Sequence, residues 1–275
     1  MSSTVSAEHR ARKAAVLGSP IDHSRSPLLH LAAYRALGLT DWTYQRIECD
    51  AAALPALVAG LGPEWVGLSV TMPGKFAALA VADERTDRAA LIGSANTLVR
   101  TPDGWLADNT DVDGVTGALG AVAGPAVVVG SGGTAPAAVV ALATLGADGI
   151  TVVARDRQKA ARLVELGRRL GTATDYRALD DPGLPAVVAA AAALVSTIPA
   201  AAAAEHTAAL AGTPVLLDAI YQPWPTPLAA AVSAAGGQAI NGLQMLLHQA
   251  FTQVELFTGR PAPREAMTCA LAEHG

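Results

Sequence analysis

Cysteine is nearly absent. Cys49 and Cys269 are the two in 275 residues. Neither stands in C-x-x-C or Cys/His spacing, which excludes a disulfide framework and a zinc-type ligand set and leaves no metal site to assign. Charge is also scarce, at 16% of residues with a formal net charge of −5. No block of Lys or Arg appears, so the chain has no surface built to neutralise the phosphates of nucleic acid or an anionic membrane. Residues 1–13 are polar and mixed in charge and lack the apolar core of a signal peptide. One stretch, 184–204, is almost uncharged and about long enough to span a bilayer. It is mostly weakly apolar alanine and Pro199 interrupts it, so it reads as a helix (185–192), a strand (193–198) and a second helix from Ala200. No repeats or low-complexity linkers occur. These absences lead to the expectation of a soluble, cytoplasmic protein.

What is present is an alternation of short apolar runs and helical stretches. Half the residues are hydrophobic, at 51%, and the length suits one large or two ordinary domains. Strands are expected at 14–18, 43–47, 65–70, 150–154, 193–198 and 214–219. Helices are expected at 27–37, 52–61, 136–145 and 158–170, with a last long helix over 243–257. That helix sets Leu243, Leu246, Leu247, Ala250, Val254 and Phe257 on one stripe, read as core rather than as a dimer face. Strands alternating with helices imply an α/β fold with a mostly parallel sheet and helices on its faces.

The sharpest local signal is Gly130-Ser131-Gly132-Gly133-Thr134-Ala135 after the β-branched run 126–129. Strand, glycine turn and helix together read as the phosphate turn of a dinucleotide site, though the turn by itself also reads as an ordinary glycine turn. The glycines let the backbone approach a pyrophosphate, and the helix N-terminus offers unpaired N–H groups. Its mid-chain position leaves the upstream residues to another task, that of holding substrate. The next strand ends in Arg155, with Lys159 one turn into the following helix. A guanidinium suits a 2′-phosphate, which favours NADP over NAD. Asp156 at the same tip is the residue that would favour NAD, and Arg155–Asp156 also reads as a solvated pair.

Upstream lie four polar clusters. Ser24 and Ser26 follow the first strand, where two hydroxyls can donate to a carboxylate; a serine before Pro27 also reads as an ordinary N-cap. The run from Ser69 to Lys75 places Thr71, Pro73 and Lys75 at a strand end. Gly93-Ser94-Ala95-Asn96-Thr97 and Asp108-Asn109-Thr110-Asp111 are built of residues that also serve turns.

Together these segments resemble the shikimate dehydrogenase family over nearly the whole chain, from Val16 to Leu271. Its S-x-S pair matches Ser24 and Ser26. Its N-x-T-x-P-x-K matches 69–75 with Ser69 in place of asparagine. G-A-x-N-T matches 93–97 with Ser94 substituted, and N-T-D-x-x-G matches 109–114 in full. The cofactor signature N-R-T-x-x-K is met by Arg155 and Lys159, while Ala154 and Asp156 depart. Asp218, Tyr221, Pro223, Thr226, Pro227 and Leu228 match one further motif. Gly242, Met245, Leu246, Gln249 and Ala250 match another.

The resemblance implies two domains: a substrate-binding catalytic domain, 1–113 with 240–275, completed by the C-terminal helix, and a Rossmann-like NADP domain, 114–239. It implies reversible NADPH-dependent reduction of 3-dehydroshikimate to shikimate in the pathway to chorismate and the aromatic amino acids. Lys75 would move the proton, and Asp111 would pair with it and hold a ring hydroxyl. Ser24, Ser26 and Tyr221 would take the carboxylate, and Thr71, Asn96 and Gln249 the ring hydroxyls. Gly130, Ser131, Gly132, Gly133 and Thr134 would hold the pyrophosphate, Arg155 and Lys159 the 2′-phosphate, and Ala219 and Gly242 the nicotinamide amide. Gly74 often stands as histidine in the family, so both Gly74 and Ser69 suggest a differently held lysine loop. Quinate or dual quinate/shikimate oxidation is the nearest rival; Ser26, where quinate-oxidising relatives tend to carry threonine, favours shikimate. A non-catalytic NADP or metabolite sensor is the remote one.

Overall fold

The computed structural model describes residues 11–273. The reading of residues 1–13 as a polar start without a signal peptide therefore falls largely outside the described part. The chain divides into two compact units, Met1–Thr110 with Ala250–Gly275 and Asp111–Gln249.

The first unit opens with β1 (Arg12–Gly18), α1 (Ser26–Ala36), β2 (Trp42–Glu48), α2 (Leu54–Ala59), β3 (Trp65–Val70) and α3 (Lys75–Val81). There follow β4 (Glu84–Arg85), α4 (Asp87–Ile92), β5 (Thr97–Thr101) and β6 (Gly104–Asp108). Its sheet runs β2-β1-β3-β5-β6-β4. β1 pairs in parallel with β2 and β3, and β5 pairs antiparallel with β3 and β6. The expected mostly parallel sheet thus holds for β1–β3 and gives way to a hairpin at β5–β6. The hairpin turns on Pro102-Asp103-Gly104, a turn former with Gly104 at φ +142°. Leu17, Leu54, Leu68, Leu98 and Trp105 fill the core on one face. α2 is shorter than the expected 52–61, because Asp50 Oδ1 accepts from the Ala52 and Ala53 amides (3.0 and 2.8 Å) and holds a turn there.

The second unit holds α5 (Asp111–Leu119), β7 (Ala126–Val129), α6 (Ala135–Thr144), β8 (Gly149–Val153), α7 (Arg157–Arg169) and β9 (Ala173–Arg177). It continues with α8 (Leu184–Ala190), β10 (Ala193–Ser196), α9 (Ala200–Ala204), α10 (Thr207–Leu210), β11 (Val215–Asp218), α11 (Pro227–Ala234), β12 (Gln238–Asn241) and α12 (Gly242–Thr258). Its six strands are all parallel in the order β12-β11-β10-β7-β8-β9. This is the doubly wound order, whose ligand crevice opens where the strand order reverses, between β7 and β10. β7 is buried at every residue, as a central parallel strand requires. Stretch 184–204 resolves into α8, β10 and α9, and among the described residues no helix is long and apolar enough to cross a membrane.

The chain then returns. Residues from Ala250 onward, the end of α12 and α13 (Arg264–Glu273), belong to the first unit. Phe257 of α12 lies against Gly67 of β3 so closely that a Cβ there would strike its ring. Of the stripe read on this helix, Leu247, Ala250, Val254 and Phe257 are buried, and Leu243 and Leu246 are half-buried.

Candidate active site

In the first unit the polar residues singled out from the sequence gather at the carboxyl ends of β1 and β3. The Thr71 amide, just past β3, donates to the Leu17 carbonyl (2.9 Å), and Val70 N donates to the Asn96 carbonyl (2.7 Å). Lys75 is the first residue of α3 and only 8% exposed; its carbonyl accepts the Ala95 amide (2.9 Å). The lysine is thereby tied to the Asn96 segment. Met72 and Phe76, the exposed large apolar side chains among the described residues, flank it. At position 74 a Cβ would lie 2.9 Å from Val70 Cγ1 and 3.0 Å from Leu54 Cδ1. The histidine common in this place has no room here without a shift.

Ser24 and Ser26 are both buried. The reading of a serine as N-cap is corrected: the α1 cap is Arg25, and it makes no side-chain cap bond. Ser24 Oγ instead accepts the Ser26 amide at 3.3 Å. The loop is held from β2, whose alternate residues share one face. Arg46 Nε and Nη2 donate to the Ser24 carbonyl (2.9 and 2.6 Å). Glu48 accepts from Ser19 Oγ (2.6 Å) and the Ile21 amide (3.1 Å).

Asn96 is buried with its amide orientation settled. Oδ1 accepts from Thr97 Oγ1 (2.8 Å) and the Thr110 amide (2.7 Å), and Nδ2 donates to Thr110 Oγ1 (3.0 Å). Beside it, Asn109 Nδ2 donates to the Ser94 carbonyl (2.9 Å). Asp108 receives Arg88 on both oxygens, 2.6 and 2.5 Å, and Thr86 Oγ1 at 2.7 Å. Burial pushes the Asp108 carboxyl up, but Arg88 and the other donors prevail and hold it below its ordinary range.

In the second unit the glycine turn lies between β7 and α6, at the crevice end of the sheet. Gly130 has φ +120°, and a Cβ there would strike Thr197 Oγ1. Thr197 is itself fixed, donating to the Val129 carbonyl from N and Oγ1, each at 2.9 Å. Gly132 has open space around its missing Cβ. Ser131, Gly133 and Thr134 complete the turn into α6.

Arg155 and Lys159 are exposed at the end of β8 and on the first turn of α7. Asp156 is the N-cap of α7: Oδ1 accepts the Gln158 amide (2.9 Å) and the Lys159 amide (3.1 Å), and Oδ2 lies 3.8 Å from Lys159 Nζ. The Lys159 amide first, with the rest of this set, holds its carboxyl below the ordinary range. A carboxylate engaged in capping is poorly placed to serve a ribose hydroxyl as well.

Asp111 is the first residue of α5 and 5% exposed. Gln249 is buried on α12, with Nε2 donating to the Leu246 carbonyl (2.9 Å). Tyr221 is half-buried in the loop after β11. That loop is anchored by Asp218, which accepts Thr226 Oγ1 (2.7 Å) and the Ile220 amide (3.1 Å). Gly242 presses on the Ala219 backbone, where a Cβ would strike the Ala219 carbonyl. The two residues expected at the nicotinamide amide are therefore neighbours.

Residues 16–98 match the shikimate dehydrogenase substrate binding domain, and residues 242–271 the shikimate 5′-dehydrogenase C-terminal domain. A shikimate dehydrogenase (NADP(+)) of Methylobacterium radiotolerans is 39% identical over 271 residues, covering 92% of this chain and 93% of that protein. This chain belongs to the shikimate dehydrogenase family. The crystal structure of Mycobacterium tuberculosis shikimate dehydrogenase is 74% identical, with a TM-score of 0.92 over 94% of this chain and 99% of that one. The Thermus thermophilus shikimate 5-dehydrogenase solved in complex with shikimate is 28% identical, with a TM-score of 0.79 over 96% and 98%.

Within this family member, sequence reasoning missed the residues that hold the site. Arg46 and Glu48 are exposed in the pattern of β2 and look like solvent-facing charges. Gln253 lies on the apolar stripe of α12, three residues after Ala250, where a polar side chain must have partners. That position was the available signal.

Proposed function

We propose that this protein catalyses 3-dehydroshikimate + NADPH + H⁺ ⇌ shikimate + NADP⁺ through the residues named below. It is an NADP-dependent oxidoreductase acting on a secondary alcohol. The observation that carries the reading is the first unit's burial of Lys75, Ser24, Ser26 and Asn96 at neighbouring strand ends, joined through backbone and side-chain hydrogen bonds.

The second unit fits a dinucleotide on its own geometry. Gly130, at φ +120° with Thr197 against the place of a Cβ, and Gly132, with open space around it, lie at the end of β7 where the sheet order reverses. We assign the pyrophosphate to the backbone of Gly130, Ser131, Gly132, Gly133 and Thr134, the 2′-phosphate to Arg155 and Lys159, and the nicotinamide amide to Ala219 and Gly242. Bound NADPH supplies the hydride.

The chain's own residues do the rest. Ser24, Ser26 and Tyr221 donate to the substrate carboxylate. Thr71, Asn96 and Gln249 bond the ring hydroxyls, and an analogue lacking one leaves a buried polar group unpaired. The Lys75 ammonium gives its proton to the developing alkoxide oxygen in reduction and takes it back in oxidation. Asp111 holds the same hydroxyl and the lysine charge. In domain terms the substrate belongs to 1–113 with 240–275 and the cofactor to 114–239. The enzyme acts in the cytoplasm, as a monomer or homodimer.

Following reduced-cofactor absorbance with shikimate or quinate against NADP⁺ or NAD⁺ tests the assignment. Fast reduction of NADP⁺ by shikimate is expected, at least about tenfold above the other pairs. Preference for quinate would overturn the reading of Ser26, and preference for NAD⁺ that of Arg155.

A further inference from the structure

β2 is an edge strand lying parallel to β1, and the loop that carries Ser24 leaves the carboxyl end of β1. Register pairs Val16 with Arg46 and Gly18 with Glu48, so both charged residues stand beside the strand end from which that loop departs. Side chains alternate along a strand, which puts Arg46 and Glu48 on one face. Glu48 holds the start of the loop through Ser19 Oγ and the Ile21 amide, and Arg46 holds its far end with two donors on the Ser24 carbonyl. Arg88 and Arg177 each carry a carboxylate partner. Among the described residues no carboxylate forms an ion pair with Arg46, and Glu48 spends its oxygens on neutral donors. A cation without an ion-pair partner therefore sits behind the serine pair.

Covalent geometry bounds how far it is from a ligand. The Ser24 carbonyl oxygen and the Ser24 hydroxyl belong to one residue, and bond lengths keep them within about 5 Å of each other. Arg46 Nη2 lies 2.6 Å from the carbonyl oxygen. A carboxylate that accepts from the hydroxyl lies about 2.7 Å beyond it. The guanidinium thus stands within about 10 Å of that carboxylate, the Debye length of 0.1 M salt. The hydroxyls of Ser24, Ser26 and Tyr221 are neutral donors and bring hydrogen bonds but no charge.

We propose that Arg46 is the cation that makes the Ser24–Ser26 site select an anionic substrate, acting through space on the carboxylate while its two bonds position the Ser24 peptide. The inference rests on the reading of Ser24 and Ser26 as carboxylate donors given above. The carboxylate takes no part in the proton and hydride transfers. Its attraction to Arg46 is the same before and during reaction, so the effect falls on KM and not on kcat.

The test is KM for shikimate at saturating NADP⁺ in the wild type, Arg46→Gln and Arg46→Lys, each at about 0.05 M and about 0.5 M salt. At the lower salt Arg46→Gln should raise KM about three- to fivefold, with kcat changed less than about twofold. At the higher salt, where the Debye length is about 4 Å, that gap should shrink by at least half. Arg46→Lys keeps the charge and gives up the paired donors, and its KM should stay within about twofold of the wild type. Should Arg46→Gln not fold, Arg46→Met, also uncharged, is read in the same way. An unchanged KM in the uncharged variant, a gap that salt shrinks by less than half, or an Arg46→Lys as poor as the uncharged variant overturns the proposal and leaves the proposed function standing. If the wild-type enzyme neither turns over shikimate nor binds it by calorimetry, the proposed function falls and the inference with it.

Discussion

His30 shows how one buried side chain sets a property of the whole fold. It is fully buried on α1, stacked on Tyr44 and, at 5.6 Å, on Phe257, with Nε2 3.3 Å from Gln253 Oε1. Burial, partly opposed by the Gln253 bond, lowers its pKa from 6.5 to about 3. The unfolded chain takes up this proton near pH 6.5 and the folded one resists until about pH 3. Between those values the unfolded state binds more protons, so stability falls as pH falls, by at most about 1.4 kcal/mol per pH unit. His30→Phe keeps an aromatic ring and removes the titration. Urea unfolding at pH 7.5 and pH 5 should show the variant gaining about 2 kcal/mol on the wild type at the lower pH. An unchanged gap would mean that the ring ionises within the fold. None of this was legible beforehand, because a histidine in a helical run gives no sign of its burial. Lys75, Ser24 and Asn96 were legible, because their spacing is itself a motif.

Elements were read where apolar periodicity is strong and missed where it is weak. β3 was found to the residue, and the helices α6 and α7 to within one residue at each end. β9 and β12 were not read: they are the two edge strands of the second sheet, ATDYR and QAIN, without an apolar run. The glycine turn between β7 and α6 is the element to which the proposed function assigns the pyrophosphate. Gly130→Ala places a methyl against Thr197 Oγ1 at a backbone angle that alanine avoids, a cost of about 1–3 kcal/mol. The expected result is a lower melting temperature and a rise of tenfold or more in the Kd for NADP⁺, read by calorimetry, with shikimate-side residues untouched. Normal affinity for NADP⁺ in that variant would remove the turn from the site.

At the scale of the molecule, the chain builds a mixed sheet from its first part, an all-parallel doubly wound sheet from its middle, and helices from its C-terminal end that belong with the first sheet. The resemblance to the family implied two domains, and residues from Ala250 onward belong with the first unit. The hairpin β5–β6 was the part that alternation of strands and helices could not foretell, since a two-strand turn leaves no helix between. In the proposed function the hydride goes to the carbon and the proton to the oxygen of one carbon–oxygen bond, and Lys75 is the residue assigned the proton. The decisive measurement is kcat/KM for shikimate with NADP⁺ in the wild type and in Lys75→Ala, with binding of both ligands followed by calorimetry. The account predicts turnover in the wild type and a fall of about 10²–10⁴-fold in the variant, with NADP⁺ affinity kept. Substantial turnover by Lys75→Ala would contradict it.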